Sequence, residues 1–314
     1  MRMNRRIEDV YNIVLTRKIA EGGMGAVYEA LQEGAEGFKK RIAIKMVHAD
    51  MSSDQEFVDM FVGEAKLVAN LVHQNIVQIY QLGKIDGAFY IAMEYIDGVN
   101  LHDLLSRLQG QGQLIPLELT AFVISRVCRA LEYAHGKRDE HGVVLGVVHR
   151  DVSPRNIMLS FEGVVKLADF GIAKAAPYMR DREGEILLGK TAYMSPEQAA
   201  FLPTDGRSDV FSLGICAYEM LTGQTMFEQA ETVMMLERVM QEPITPIRIH
   251  NPDIPGELAR IITKALDRDL TRRYQNAREM GDDLEHYLYD KGFGPTNQKL
   301  QEYLFKIYPD HPVY

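Results

Sequence analysis

Two regimes of apolar patterning divide this chain. Up to about residue 93 the apolar residues come in short runs: Ile13-Val14-Leu15, Ile19 to Tyr28, Ile42 to Val47, Ile76 to Gly83 and Ala88 to Met93. Runs of this length, rich in β-branched residues and bounded by Gly, read as strands. One helix interrupts them, over about Asp54 to Leu71. Its Phe57, Phe61, Val68 and Leu71 share a face by helical spacing. Glu64 falls on the same stripe. Leaving a carboxylate buried there without a partner costs roughly 3–5 kcal/mol. Lys45, the one cation inside the run Ile42–Val47, is the natural partner; the plain alternative is a lysine whose stem snorkels to the surface. After Glu94-Tyr95-Ile96-Asp97-Gly98 breaks the strand pattern, the composition turns helical. Leu119, Val123, Val127 and Leu131 repeat at i+4 and predict one apolar helix face. Leu300, Tyr303, Leu304 and Ile307 predict a short amphipathic helix near the end, packing either on the body of the protein or against a partner.

Inside the helical region a single stretch returns to strands. Ile157-Met158-Leu159, the turn Phe161-Glu162-Gly163 and Val164 to Ala168 make a hairpin pattern. It has Asp151 before it, Asn156 at its entry and Asp169 at its exit. A loop, strand, turn and strand of this size return on themselves, so the three side chains can converge. Two oxygen ligands beside a further carboxylate suit Mg²⁺ holding phosphates, with a base close by. Upstream, Ala20-Glu21-Gly22-Gly23-Met24-Gly25 is a turn that lets backbone N–H groups approach phosphate oxygens. Val27-Tyr28 continue as strand, which excludes a dinucleotide fingerprint, since that needs a helix after the last Gly. Gly184 to Thr191 spells the P-loop pattern letter for letter. A polar segment precedes it and Pro196 follows, so the strand–loop–helix context is missing.

His149-Arg150-Asp151, Asn156 and Asp169-Phe170-Gly171, taken in this order, resemble the catalytic loop and D-F-G motif of protein kinases. The resemblance extends over about Val10 to Leu288 and is greatest to bacterial serine/threonine kinases of the eukaryotic (Hanks) type, those of myxobacteria in particular. It implies an α+β, two-lobed protein kinase fold. The N-lobe would span residues 1–93, β-rich with one main helix, and the hinge residues 94–100. A larger, mostly helical C-lobe would span 101–290, with a C-terminal extension over 291–314. It also implies transfer of the ATP γ-phosphoryl group to Ser/Thr hydroxyls of proteins, the chain itself included, with Mg²⁺ or Mn²⁺. In the family pattern Asp151 accepts the hydroxyl proton, Asn156 and Asp169 hold the metal, and Lys45, paired to Glu64, orients the α/β-phosphates. The nucleotide, between the lobes, would meet Ala20, Gly22, Gly23, Gly25, Val27, Ala43, Lys45, Met93, Glu94, Ile96, Asn156, Met158 and Asp169. Ser195-Pro196-Glu197 stands where the family has A-P-E. Asp209 stands where an Asp holds the catalytic-loop backbone, and Arg273 where an Arg pairs with the residue corresponding to Glu197. The Ser195–Glu197 segment and Asp209 argue against a small-molecule kinase.

Three departures matter. Ala20 replaces the first glycine of the lid. Ser153 stands two residues after Asp151, where serine/threonine kinases carry the Lys that touches the transferring phosphate. In Gly189-Lys190-Thr191-Ala192-Tyr193, Lys190 occupies the place of the Thr that bridges that Lys. A swap follows as the expectation: Lys190 supplies the ammonium and Ser153 the hydroxyl; the alternative is a solvated Lys190, with Thr191 doing the work of that Thr through a one-residue shift. Arg155 is the competing source of charge, and it also stands where tyrosine kinases carry Arg. Dual or tyrosine specificity, and a nucleotide-binding pseudokinase or scaffold, are therefore the alternatives. The segment between Gly171 and Thr191 holds Tyr178 but no Ser or Thr. Either Glu183 or Glu185 pairs with Arg150 in place of a phosphate, or both are merely solvated.

Composition adds bounds. A net charge of −9 with no basic stripe argues against nucleic acid as a partner. Cys128 and Cys216 each lie inside a helical pattern and read as reduced buried thiols. No apolar run approaches the ~20 residues needed to span a bilayer, and the acidic Glu8-Asp9 after the first arginines is unlike a signal peptide. Cytoplasmic location is the expectation. Protein substrates and ATP are the expected partners, and a homodimer stays open.

Overall fold

The computed structural model describes residues 12–22, 25–48, 51–170, 191–227, 231–290 and 292–312, without the side chains of Glu56, Met60, Glu64 and Thr232. Two compact units divide the chain, residues 1–69 with 78–95, and residues 70–77 with 96–314. The α+β class that the resemblance implies is present, as a β-rich smaller unit and a mostly helical larger one.

In unit 1 five antiparallel strands, β1 (Asn12–Gly22), β2 (Gly25–Glu33), β3 (Lys39–Val47), β4 (Ile79–Ile85) and β5 (Ala88–Glu94), lie in the order β1-β2-β3-β5-β4. The alternation of β3 decides what each face does. Ile42 and Ile44 pack with Ala30 and Ala92 into a buried cluster, which Ile13, Met46 and Tyr90 extend. The opposite face carries Ala43 and Lys45. Helix α1 (Gln55–Ala69) lies against β4. Its buried Phe61 stacks on Phe57 at 6.0 Å and meets Phe89 of β5 at 6.4 Å. Phe89 alternates in phase with Ile91, which pairs with Lys45, so α1 lies on the Lys45 face of the sheet. At the β1–β2 turn, Gly25 has φ 157°, and a Cβ there would meet the Met46 carbonyl oxygen at 1.9 Å. Only glycine lets β2 run this close to β3.

The run Ile76–Gly83 does not begin β4 where its composition suggests. Ile76 bridges to Leu167 and the Val77 N–H donates to the Leu167 carbonyl at 3.0 Å, both in unit 2. An apolar strand-like run cannot reveal which of two sheets its first residues join.

Unit 2 opens with β6 (Gly98–Asn100), α2 (Leu101–Gln109) and α3 (Leu117–His135). β7 (Ile157–Ser160) and β8 (Val165–Leu167) complete a three-stranded sheet in the order β6-β7-β8. Helices α4 (Pro196–Ala199), α5 (Gly206–Thr222), α6 (Thr232–Gln241), α7 (Ile247–His250), α8 (Gly256–Ala265), α9 (Ala277–Tyr289) and α10 (Asn297–Ile307) follow. α3 is more deeply set than a one-sided pattern implies. Besides Leu119, Val123, Val127 and Leu131, its Ala121, Phe122, Ile124, Cys128 and Ala130 are buried. It packs against both α5 and α9. Both cysteines are buried, which raises their thiols above the usual range. Residues 137–146, between α3 and the hairpin, turn back on themselves. Arg138 bridges Val144, and Asp139 Oδ1 accepts the N–H groups of His141 and Val143 at 2.9 Å each.

α10 is the short amphipathic helix of the pattern, with Leu300, Leu304 and Ile307 buried. Of the two surroundings open to it, the structure shows unit 2. Phe161 at the β7–β8 turn meets Phe305 at 5.7 Å and Tyr308 at 5.9 Å, and stacks on His311 at 3.6 Å. Gly163, at φ 77°, lies under the Asn297 carbonyl, where a Cβ would stand 1.8 Å from the oxygen. Among the described residues no helix is long and apolar enough to cross a membrane.

Candidate active site

The loop that carries His149, Arg150 and Asp151 is built from beneath by one buried carboxylate. Asp209, 1% exposed in the first turn of α5, accepts the N–H of His149 through Oδ2 and that of Arg150 through Oδ1, each at 2.8 Å. His135, the last residue of α3, reaches the same Oδ2 at 2.8 Å. Burial pushes the Asp209 carboxyl up, but the His135 bond and charge and the His149 contacts outweigh it, leaving the pKa below the usual range. Arg150 adopts φ 61°, a left-handed conformation costing a side chain roughly 1–2 kcal/mol. The bidentate grip of Asp209 on two successive N–H groups offsets that cost.

His149 is fully buried, and burial lowers its pKa, so the ring is neutral. Its Nδ1 accepts the Asp151 N–H at 3.2 Å and its Nε2 lies 2.9 Å from the Ala168 carbonyl. One tautomer serves both, with the proton on Nε2. The ring also meets Phe170 at 4.6 Å. His149 thus ties the loop before Asp151 to the strand exit before Asp169.

Asp151 and Asn156 touch. Asn156 Nδ2 donates to the Asp151 carbonyl at 2.8 Å and to Asp151 Oδ2 at 3.0 Å. The Ala168 N–H donates to the Asn156 carbonyl at 2.8 Å, which sets Asp169 next along the chain, at φ 51°. The convergence expected of the three residues is therefore direct for Asp151 and Asn156, and runs through backbone for Asp169. Asn156 uses its amide nitrogen on Asp151; among the described residues its Oδ1 takes no hydrogen bond. An amide oxygen and the Asp169 carboxylate are the hard donors that Mg²⁺ takes. Asp151, 8% exposed, is half of a buried hydrogen-bonded pair yet still reaches the surface.

Ser153 is 3% exposed, and its Oγ has no hydrogen-bond partner among the described residues. It precedes the 3₁₀ turn Pro154–Asn156 without capping it. Arg155 is exposed, with Nη2 2.9 Å from His102 Nε2. Met158 is half-buried in β7 opposite Asn100. Lys190 and Gly23 lie outside the described residues, as do Glu183 and Glu185 and nearly all of the P-loop-like segment.

In unit 1 the register assembles the residues assigned to the nucleotide. Val27 pairs with Ala20 and with Lys45, and Ala43 pairs with Met93. Ala43 and Lys45 are two apart, so all five share one face of the sheet. The backbone of Glu64 belongs to α1, on that face, but its side chain lies outside the described residues, and so does its pairing with Lys45. Gly22 has open space where a Cβ would stand; unlike Gly25, it is not demanded by packing. Glu94 is the last residue of β5, and its N–H donates to the Gln78 carbonyl at 2.8 Å. Any contact of its backbone with a base edge falls to the carbonyl. Ile96 is half-buried in the other unit.

The segment after the undescribed stretch is anchored twice. Ser195 and Gln198 form a capping box on α4, and Gln198 Nε2 donates to the Arg150 carbonyl at 3.0 Å. The S-x-x-Q spacing announces the cap, but nothing in the sequence announces the bond to Arg150. Glu197 accepts from Arg273, fully buried, at 2.7 and 3.2 Å and from Ser208 Oγ at 2.6 Å. Burial raises the Glu197 carboxyl, and the bonds from Arg273 and Ser208 more than reverse it. A carboxyl held below its unfolded value of about 4.3 stabilises the fold fully above that pH and loses the contribution as pH falls through its folded pKa. The melting-temperature gap between wild type and Glu197→Gln should therefore be widest above about pH 5 and shrink towards pH 3. A gap that grows on acidification contradicts the assignment.

The profile of the protein kinase domain family matches residues 13–284. A tyrosine-protein kinase, MasK of Myxococcus xanthus, is 38% identical over 291 residues, covering 93% of this chain and 45% of its own length. The serine/threonine-protein kinase PrkC of Bacillus subtilis is 33% identical over 285 residues, 91% of this chain and 41% of its own. The chain thus spans less than half the length of these relatives. Among solved structures, the PknI kinase domain of Mycobacterium tuberculosis superposes with a TM-score of 0.66 at 25% identity, covering 90% of this chain and 99% of that one.

Proposed function

We propose that this chain, which belongs to the protein kinase domain family, transfers the γ-phosphoryl group of ATP to serine and threonine hydroxyls of proteins, including its own. The observation that carries the reading is the Asp151–Asn156 pair, hung with Arg150 and His149 on the buried Asp209. Bound Mg²⁺ supplies charge neutralisation on the transferring phosphoryl group. Asn156 Oδ1 and the Asp169 carboxylate are the groups that would hold it. Asp151 receives the proton of the acceptor hydroxyl, and the Asn156 amide keeps its carboxylate aimed. Lys45, with Glu64 as its partner, orients the α/β-phosphates. Ala20, Gly22, Gly23, Gly25 and Val27 form the lid, and Ala43, Met93, Glu94, Ile96 and Met158 take the adenine. Protein substrates follow from the Glu197–Arg273 anchoring of the segment that receives them.

Tyrosine or dual specificity is the second reading, and two observations favour it: the Myxococcus relative is named a tyrosine kinase, and Arg155 stands in the loop. Incubation with radiolabelled Mg·ATP followed by phosphoamino-acid analysis decides between them. Phosphoserine and phosphothreonine support the first reading and phosphotyrosine the second. A chain that binds ATP and labels nothing, itself included, is a pseudokinase scaffold.

The buried Ser153 hydroxyl without a partner among the described residues supports the swap expected from the sequence. Lys190 would supply the missing ammonium and Ser153 the oxygen that holds it. Lys190→Ala should then lower turnover by about 10²-fold or more, the scale of one transition-state charge contact. The double exchange Ser153→Lys with Lys190→Thr should recover some of it. Near-normal turnover of Lys190→Ala, with Arg155→Ala or Thr191→Ala inactive, would refute the swap.

A further inference from the structure

Arg155 stands exposed four residues after Asp151, and the proposed reaction gives it no fixed task. Its Nη2 lies 2.9 Å from His102 Nε2, in the first turn of α2. A guanidinium only donates, so the imidazole accepts and is neutral in this arrangement. Burial, and then the charge of Arg155, hold the His102 imidazole below its usual range, in keeping with that role. The bond uses one of five N–H groups. Among the described residues no carboxylate pairs with Arg155. The nearby acids are otherwise engaged. The Asp103 carboxylate accepts from Asn100 Nδ2 at 2.9 Å within the α2 cap. Glu219, in the cavity that His102 helps to line, takes the Tyr193 hydroxyl at 2.6 Å and is pushed towards its neutral form by burial. What results is a planar cationic fork, oriented by a ring, four residues along the loop from Asp151 and without an anion of its own among the described residues. Such a fork suits bidentate binding of a carboxylate or phosphate.

We propose that Arg155 is a specificity-determining residue, which receives an anionic side chain flanking the acceptor hydroxyl of the protein substrate, and that His102 is the positioning residue that aims it. The proposal rests on the kinase reading. It differs from a role for Arg155 as the missing transition-state charge, because it affects discrimination between substrates more than the rate common to all of them.

The test uses the full chain and four peptide series that differ only in the residue scanned around the acceptor: Asp, phosphoserine, Ala or Arg. Wild type is expected to favour an anionic series over the Arg series in kcat/KM by about 10-fold, the scale of one well-placed charge-assisted pair. Preference for Asp alone identifies a carboxylate. Preference for phosphoserine alone identifies substrates phosphorylated beforehand. Arg155→Glu should invert the ratio towards the Arg series. His102→Leu should flatten it through KM, while His102→Gln, whose amide oxygen can accept, should keep it. An anionic-to-Arg ratio unchanged by Arg155→Glu overturns the proposal, and a uniform fall on all four series assigns Arg155 to the transition state instead. Absence of labelling by wild type with every series would overturn the kinase reading itself, a result distinct from unselective labelling.

Discussion

Asp151→Asn is expected to lower kcat for protein phosphorylation by about 10²–10⁴-fold, the range associated with a positioned general base. The surroundings make this a clean experiment. Asn156 Nδ2 donates to Asp151 Oδ2, and an amide at 151 can turn its oxygen to the same donor. The Asp151 carbonyl and N–H bonds to Asn156 and His149 involve backbone and survive the change. ATP affinity and melting temperature should therefore stay close to wild type while turnover collapses. Steady-state kinetics with a peptide acceptor, alongside nucleotide titration, checks both. Turnover within 10-fold of wild type would remove Asp151 from the base role.

The second large effect belongs to a residue that need not touch substrate. Asp209→Ala takes the acceptor from the His149 and Arg150 N–H groups and from His135 Nε2 at once. Stranding buried donors costs about 1–3 kcal/mol each, and loss of one partner of a buried charged cluster about 3–5 kcal/mol. For a folding unit of this size that corresponds to a fall in melting temperature of roughly 10 °C. Arg150 also loses what holds its left-handed backbone, so Asp151 should lose its aim. Turnover should drop even at temperatures where the variant is folded. Asp209→Asn, which keeps one acceptor oxygen, should fall between. A thermal melt of Asp209→Ala within about 2 °C of wild type would show that the loop is held by something else.

These two residues differ in how the sequence exposes them. Asp151, Asn156 and Asp169 bracket a short hairpin, and period-two patterning plus a glycine turn is enough to bring its ends together. The face of β3 that carries Ala43 and Lys45 is legible for the same reason, since alternation alone assigns it. The burial of α3 on nearly every side is not, because an apolar stripe reports one core-facing side of a helix and says little about how many further neighbours cover the others. Pairing of Ile76 and Val77 with Leu167, rather than with β5, depends on a choice between sheets that local composition does not encode. The Arg155–His102 contact joins positions 53 apart, with no periodic signal to link them. The turn pattern gives Gly25 the task of leaving room for a phosphate, and the structure adds a second demand on it, the Met46 carbonyl.

The contact between Gly163 and Asn297 bears on how this protein can vary. Residues 13–284 carry the family resemblance, yet the turn at 163 is shaped by a carbonyl that lies beyond them. Any side chain at 163 would displace α10, and a relative that lacks α10 is released from that clash, while the φ of 77° keeps its own preference for glycine. The border of the domain as a physical object is consequently drawn by the aromatic cluster around Phe161, some twenty residues past the border drawn by likeness to other kinases.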